Sequence, residues 1–307
     1  MGLDGKVAVV TGAGNGLGRA ESIVLARAGA RLVLNDLPGD AVHEVAERIT
    51  AAGGEAVVCT GDVGDWSTGE RLLAAALDAY GGLDVLVNNA GALRDRMIFT
   101  MSADEWDLVI RVHLRGHFVT TRFATAYWRD RSKAHGGPVY ARIVNTSSEA
   151  FLLGSPGQPN YAAAKGGIAA LTVATARSCA RYGVRANAIC PRARTDMTTE
   201  LLGPAPEDSA DPLSPDRVAP LVTYLASPAA ERITGEVFVV HGDVAAVLAP
   251  PRVRASFQAG EYGSTDGTWS VEGLHRALGP LFPDEEPRPG FACEDTLPLA
   301  AATFGAP

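Results

Sequence analysis

KVAVVTGAGNGLG, residues 6–18, is a short apolar run broken by a glycine-rich turn, and a helical pattern follows to Ala28. A strand that runs through such a turn into a helix N-terminus makes an anion site, because free amides and the helix dipole face the same point. Gly12 permits the turn, Gly16 lets backbone approach a pyrophosphate, and Gly18 lets the helix pack on the sheet. Asn15 and Leu17 complete the turn. Its spacing departs from the usual GxGxxG fingerprint, because Leu17 stands where the third glycine would be.

From there the chain alternates strand and helix. Strand Arg31–Asn35 ends in Asp36, 18 residues beyond Gly18, where a carboxylate can accept hydrogen bonds from an adenosine ribose. Helix 40–52 and strand 55–60 lead to Asp62-Val63, a turn placed to meet an adenine amino group. Helix Thr68–Tyr80 and strand Leu83–Val87 precede Asn88-Asn89-Ala90-Gly91, small residues suited to close backbone approach at a strand's carboxyl end. A long helical region spans Ala103 to Arg131. Strand Ala141–Asn145, a helix from Tyr161 and strand Val184–Cys190 continue the pattern. Thr199–Pro215 reads as a polar loop, and a helix near Pro215–Leu225 and strand Gly235–His241 close the core. Six or seven strands alternating with helices predict α/β: a doubly wound, Rossmann-like parallel sheet covered on both faces. We assign 1–249 to this domain and 250–307, rich in Pro and Gly with one helical candidate at Ser270–Leu278, to a C-terminal extension.

Composition bounds the partners. The 307 residues are 47% hydrophobic, enough for one sizeable core, and the net charge is −8. An acidic chain is a poor nucleic-acid ligand. No apolar run reaches the length of a membrane span, and no secretory leader is evident. Four scattered cysteines without a CxxC pair suit a reducing, cytoplasmic setting. The histidines show no metal-ligand spacing, so no metal is expected.

The chemistry centres on Ser148–Lys165, SEAFLLGSPGQPNYAAAK. Tyr161 and Lys165 are four apart on a helix and therefore share a face. Ser148 follows the preceding strand. A hydroxyl, a phenol and an ammonium together can handle the proton of an alcohol or carbonyl. A free phenol titrates near 10, and lowering it by roughly three units takes about 4 kcal/mol. A lysine ammonium and a cationic cofactor ring can supply that jointly.

Together, Thr11-Gly-x-x-x-Gly-x-Gly18, Asn88-Asn-Ala-Gly91, Ser148, Tyr161-x-x-x-Lys165 and Thr234-Gly235 resemble the classical short-chain dehydrogenase/reductase family over roughly residues 4–248. Val33-Leu-Asn-Asp-Leu37, Leu93-Arg-Asp-Arg-Met97 and Val112-His-Leu-Arg-Gly116 look like its D-3-hydroxyacyl-CoA dehydrogenase and hydroxysteroid dehydrogenase branch. The resemblance implies a nicotinamide cofactor, with Tyr161 as proton-transfer phenol and Ser148 orienting the substrate oxygen. Lys165 would lower the Tyr161 pKa and hold the nicotinamide ribose. Gly12, Asn15, Gly16, Leu17, Gly18, Asp36, Asp62, Val63, Asn89, Ala90, Gly91, Pro191 and Thr195 would line the cofactor. It also implies a homotetramer built on helices near 103–131 and 158–181.

Three departures stand out. His113 occupies the position of a relay Asn, although the hydroxyacyl-CoA branch also carries His there. Arg192 replaces a Gly, and His241-Gly242-Asp243 replaces Asp-Gly-Gly. The expected activity is NAD-dependent interconversion of a secondary alcohol and a ketone on a hydrophobic or acyl-thioester substrate, with NAD favoured by Asp36. A biosynthetic 3-oxoacyl thioester reductase and a cofactor-binding regulator without chemistry are the alternatives.

Overall fold

The computed structural model describes residues 2–206, 210–282 and 290–299. Residues 207–209 of the predicted loop, and 283–289 and 300–307 of the extension, lie outside the described residues. Among those described, the stretch between Ala249 and Ala292 forms one compact unit, and all the others form a second.

The larger unit holds an eight-stranded sheet in the order β3-β2-β1-β4-β5-β6-β7-β8. Its strands are β1 (Val7–Thr11), β2 (Arg31–Asn35), β3 (Glu55–Val58), β4 (Val85–Asn88), β5 (Ala141–Thr146), β6 (Val184–Pro191), β7 (Val237–His241) and β8 (Val244–Val247). β1 through β7 run parallel, and β8 pairs antiparallel with β7. β8 was not expected. It returns from β7 through Gly242-Asp243, with Gly242 at φ +54° making the reversal easy.

Side-chain alternation explains why the strands read as continuous apolar runs. On β1, Ala8 and Val10 join Leu25, Leu32, Leu34, Val222 and Leu225 on one side of the sheet. Val7 and Val9 join Leu72, Leu86, Trp128 and Ile143 on the other. Helices α1 (Gly16–Arg27), α2 (Asp40–Ala51), α3 (Trp66–Tyr80), α4 (Ala103–Ile110), α5 (Gly116–His135), α6 (Ala150–Leu153), α7 (Pro159–Cys179), α8 (Thr199–Leu202) and α9 (Ala219–Ala226) belong to this unit. α8 lies in the stretch read as loop.

The long helix expected from Ala103 is divided. It starts with a capping box between Ser102 and Glu105 and passes through a π-helical turn, Arg111–Arg115, before continuing as α5. The extra residue in that turn shifts the helical register.

Strand order reverses between β1 and β4, both of whose neighbours lie outward in opposite directions. Open α/β sheets bind ligands in the crevice that this reversal leaves at the strands' carboxyl ends. The turns after β1 and β4, the Ser148 segment after β5 and Pro191 at the end of β6 all reach that end.

The smaller unit contains α10 (Val271–Leu278), capped by Ser270, whose hydroxyl accepts from the Gly273 amide at 2.9 Å. An apolar cavity of about 310 Å³ lies within this unit, lined by Phe257, Trp269, Leu274, Leu278, Leu281 and Phe282.

Candidate active site

The glycine turn is clamped to the end of β4. Asn89 Nδ2 donates to the Thr11 and Gly12 carbonyls, both at 3.1 Å, and the Asn89 and Ala90 amides donate to Thr11 Oγ1 at 3.0 and 3.2 Å. Thr11 is thus a working part of the site, although the sequence marks it only as the start of the motif. A Cβ on Gly12 would stand 2.8 Å from Ala90 Cα, and one on Gly18 would stand 2.1 Å from the Gly12 carbonyl. Close approach leaves no room for either. Gly16 (φ +51°) faces the methyl of Thr195, which would lie 3.0 Å from an added Cβ.

The residues present fit a dinucleotide. Asn15 begins α1 without a side-chain cap, and no acidic residue occupies the first turn, so its amides and dipole are left for an anion. Asp36 accepts from the Gly14 amide at 2.9 Å and from the Leu37 amide at 2.8 Å. Those bonds fix its carboxylate beside the turn and leave lone pairs for ribose hydroxyls. Asp62 accepts from the Gly64 amide at 2.7 Å and pairs with Arg111 at 2.6 Å. Val63 is buried, and Gly116 passes so close that a Cβ there would stand 2.7 Å from its side chain. Thr195, beyond Pro191 and Arg192, donates its amide to Thr198 Oγ1 at 2.8 Å.

The expected triad converges. Lys165 is 2% exposed, and its Nζ donates at 2.7 Å to the carbonyl of Thr146, two residues before Ser148. The same ammonium lies 5.2 Å from the centre of the Tyr161 ring. Ser148 Oγ accepts from the Ala150 amide at 3.2 Å. Burial pushes the Tyr161 phenol up to about 12, opposed by the Ser148 hydroxyl, and pushes Lys165 down to about 7. Without a ligand, therefore, the site favours the neutral form of the phenol. The expected depression of Tyr161 is not a property of the protein alone.

His113 sits in the π turn, 1% exposed. Its Nε2 lies 2.8 Å from the Ala92 carbonyl and 3.1 Å from the Ala92 amide, while Nδ1 is buried without a hydrogen-bond partner. A Cβ on Gly91 would stand 2.4 Å from the imidazole, so that glycine admits the ring to the end of β4. Burial first, and the Lys165 charge second, hold its pKa well below the usual histidine range. Burial thus favours the neutral ring.

Two features escaped the sequence reading. A buried amide ladder lies beneath the site: Asn88 Nδ2 donates to Asn145 Oδ1 at 2.9 Å, and Asn145 Nδ2 donates to Thr172 Oγ1 at 2.8 Å. Buried Asn160 ties α7 to the rim, donating to the Arg94 carbonyl at 2.9 Å and the Glu105 carbonyl at 3.1 Å. Gln158, just before α7, donates to Asp95 at 2.8 Å and adds a second stitch between α7 and the segment after β4. Asparagines at strand ends and helix starts resemble ordinary turn residues, so only the fold reveals these jobs.

Among the described residues there is no helix long and apolar enough to cross a membrane, and no group of at least 3 His, Cys, Asp or Glu that could hold a metal ion.

The arrangement can hold an extended anionic dinucleotide across the crevice and move a proton at the Tyr161 oxygen. Residues 6–204 match the short chain dehydrogenase family. Hydroxyacyl-CoA dehydrogenase ChsB1 of Mycobacterium tuberculosis is 51% identical over 305 residues, covering 96% of this chain and 94% of its own. Peroxisomal multifunctional enzyme type 2 of Mus musculus is 42% identical over 242 residues, 76% of this chain but 31% of that protein. The crystal structure of a short chain dehydrogenase from Mycobacterium avium superposes with a TM-score of 0.82 at 44% identity, covering 93% of this chain and 97% of that one. The chain belongs to the short-chain dehydrogenase family, oxidoreductases that use a nicotinamide dinucleotide to interconvert alcohols and ketones.

Proposed function

We propose that the protein is an NAD-dependent 3-hydroxyacyl-CoA dehydrogenase that oxidises a secondary alcohol on a hydrophobic acyl thioester. The observation that carries the reading is the convergence of Ser148, Tyr161 and buried Lys165 at the carboxyl end of the sheet. The name and extent of the ChsB1 match support the thioester substrate. Hydroxysteroids are the second substrate class, on the branch resemblance.

When bound, a nicotinamide dinucleotide supplies hydride exchange and, in its oxidised form, positive charge. The chain's own residues do the rest. Ser148 orients the substrate oxygen, and Tyr161 accepts its proton. Lys165 holds the nicotinamide ribose and, once a cation partner raises the local field, favours the phenolate. His113 supports proton exit behind the pair. Gly12, Asn15, Gly16, Leu17 and Gly18 cradle the pyrophosphate. Asp36 binds the adenosine ribose, Asp62 and Val63 flank the adenine, and Asn89, Ala90, Gly91, Pro191 and Thr195 line the nicotinamide side.

NAD is preferred because Asp36 repels a 2′-phosphate and exposed Leu37 beside it offers no guanidinium. We place the protein in the cytoplasm as a homotetramer. Exposed Phe118 and Val173, on the two helices of the expected interface, support the assembly.

The test is to assay purified protein with NAD⁺ and NADP⁺ against 3-hydroxyacyl-CoAs, hydroxysteroids and simple secondary alcohols. NADH formation fastest on a 3-hydroxyacyl-CoA is expected. Turnover confined to simple alcohols or to steroids would refute the thioester reading.

A further inference from the structure

Arg192, one of the departures from the family pattern, follows Pro191 at the end of β6. Its guanidinium grips Glu149, the neighbour of Ser148. Nε donates to one carboxylate oxygen at 2.6 Å and Nη2 to the other at 2.7 Å. Nη2 also donates to the Thr296 carbonyl at 2.7 Å, a residue 104 positions away in sequence. The Glu149 side chain is 8% exposed and that of Arg192 is 19% exposed.

A second tie joins the same two regions. The Cys293 amide donates at 2.9 Å to the Leu152 carbonyl in α6, the helical turn that follows Ser148. Thr296 is 2% exposed. The returning segment 293–299 therefore belongs structurally with the sheet unit, although it follows the 249–292 unit in sequence.

An enclosed ion pair costs desolvation unless good geometry and further hydrogen bonds use up the capacity of both partners. The fork of Arg192 meets this condition: two carboxylate bonds and a third to a backbone carbonyl. A lysine, being a point charge, could not make all three at once. Nothing in this arrangement touches the reacting atoms. It connects the residue after Ser148, the residue after Pro191 and the C-terminal segment at a single guanidinium.

We propose that Arg192 is a positioning residue. Through Glu149 and Thr296 it fixes the segment carrying Ser148 and seats residues 293–299 as a wall beside α6. The consequence for turnover rests on Ser148 orienting the substrate oxygen, as proposed above. The latch itself does not.

The experiment compares the full-length protein with full-length Arg192→Lys and Arg192→Gly, by amide hydrogen exchange and by kinetics. With the latch broken, peptides covering 293–299 and 149–155 should exchange at least about tenfold faster, while β1 and β4 keep their protection. Misplacing Ser148 should lower kcat by about tenfold on a 3-hydroxyacyl-CoA. The NADH dissociation constant should stay within about twofold, because the Arg192 side chain points to Glu149 and Thr296 while the pyrophosphate turn and Asp36 follow β1 and β2. Arg192→Lys should fall between Arg192→Gly and wild type in both readouts, and it carries the test alone if Arg192→Gly does not fold. Unchanged exchange at 293–299 would overturn the latch. Faster exchange with unchanged kcat would overturn its positioning role. The exchange measurement needs no substrate, so a wild-type protein inactive on every 3-hydroxyacyl-CoA would refute the functional reading and leave the latch to be judged by exchange.

Discussion

The imidazole of His113 meets the Tyr161 ring edge to face, with centroids 5.2 Å apart and planes at 86°. This places a neutral, hydrogen-bonding ring directly against the phenol proposed to transfer the proton. His113→Asn should keep most of kcat, because an amide can still hold a water behind Lys165. His113→Ala should lose about tenfold, or 1.4 kcal/mol. Because burial holds the His113 pKa well below the usual histidine range, the pH–rate profiles of wild type and His113→Asn should have the same shape from about pH 6.5 upward. Equal activity in both variants would reduce His113 to packing.

On the NAD preference proposed above, Asp36, held by the Gly14 and Leu37 amides, would repel a 2′-phosphate. Wild type should bind NADH more tightly than NADPH, and Asp36→Ala should narrow the gap. Fluorescence titration with both dinucleotides measures this, and tighter NADPH binding by wild type would contradict it.

Glu21, on α1, is fully buried, and neither carboxylate oxygen has a hydrogen-bond partner. Burial pushes its pKa up from 4.5 to about 8. Between those values the folded state binds more protons at Glu21 than the unfolded state, so the contribution of this one group to stability is fully present below about 4.5 and is lost as pH rises through about 8. Glu21→Gln removes the charge but keeps the shape. It should raise the thermal midpoint more at about pH 9 than at about pH 5. A gain independent of pH would mean that Glu21 is ionised in the folded protein throughout.

Asn88 accepts from Thr120 Oγ1 at 2.6 Å and donates to Asn145 and Thr121, joining β4, β5 and α5 under the site. Asn88→Ala strands the Asn145 carbonyl oxygen in a dry interior. The expected cost is about 2 kcal/mol, within the range for an orphaned buried polar group. Urea denaturation of wild type and variant measures it, and a change below about 0.5 kcal/mol would mean that the ladder re-pairs or hydrates.

Local signals carried most of the fold. Seven strands, the glycine turn and the Tyr161–Lys165 spacing depend on residues close in sequence, and these were legible. β8 was not, because Val-Ala-Ala-Val is short and alternates half-buried with exposed at the sheet edge. The π turn left the apolar spacing around His113 nearly helical, so nothing in the periodicity marked it. The burial of Glu21 depends on tertiary packing, which no local spacing reports. The partners of Arg192 lie 43 and 104 residues away, beyond any spacing argument. In the bare protein desolvation outweighs the help from the Ser148 hydroxyl at Tyr161, a balance that burial sets and no spacing reports.

The central claim is that the Tyr161 oxygen exchanges the proton with substrate. The direct measurement is single-turnover and steady-state oxidation of a 3-hydroxyacyl-CoA by Tyr161→Phe, with NADH binding measured on the same preparation. Turnover should fall by at least about a thousandfold, in line with removing the proton-transfer group, while NADH affinity stays within about twofold. A Tyr161→Phe protein that retains more than about a tenth of wild-type kcat would contradict the account and move the acid–base role to another residue.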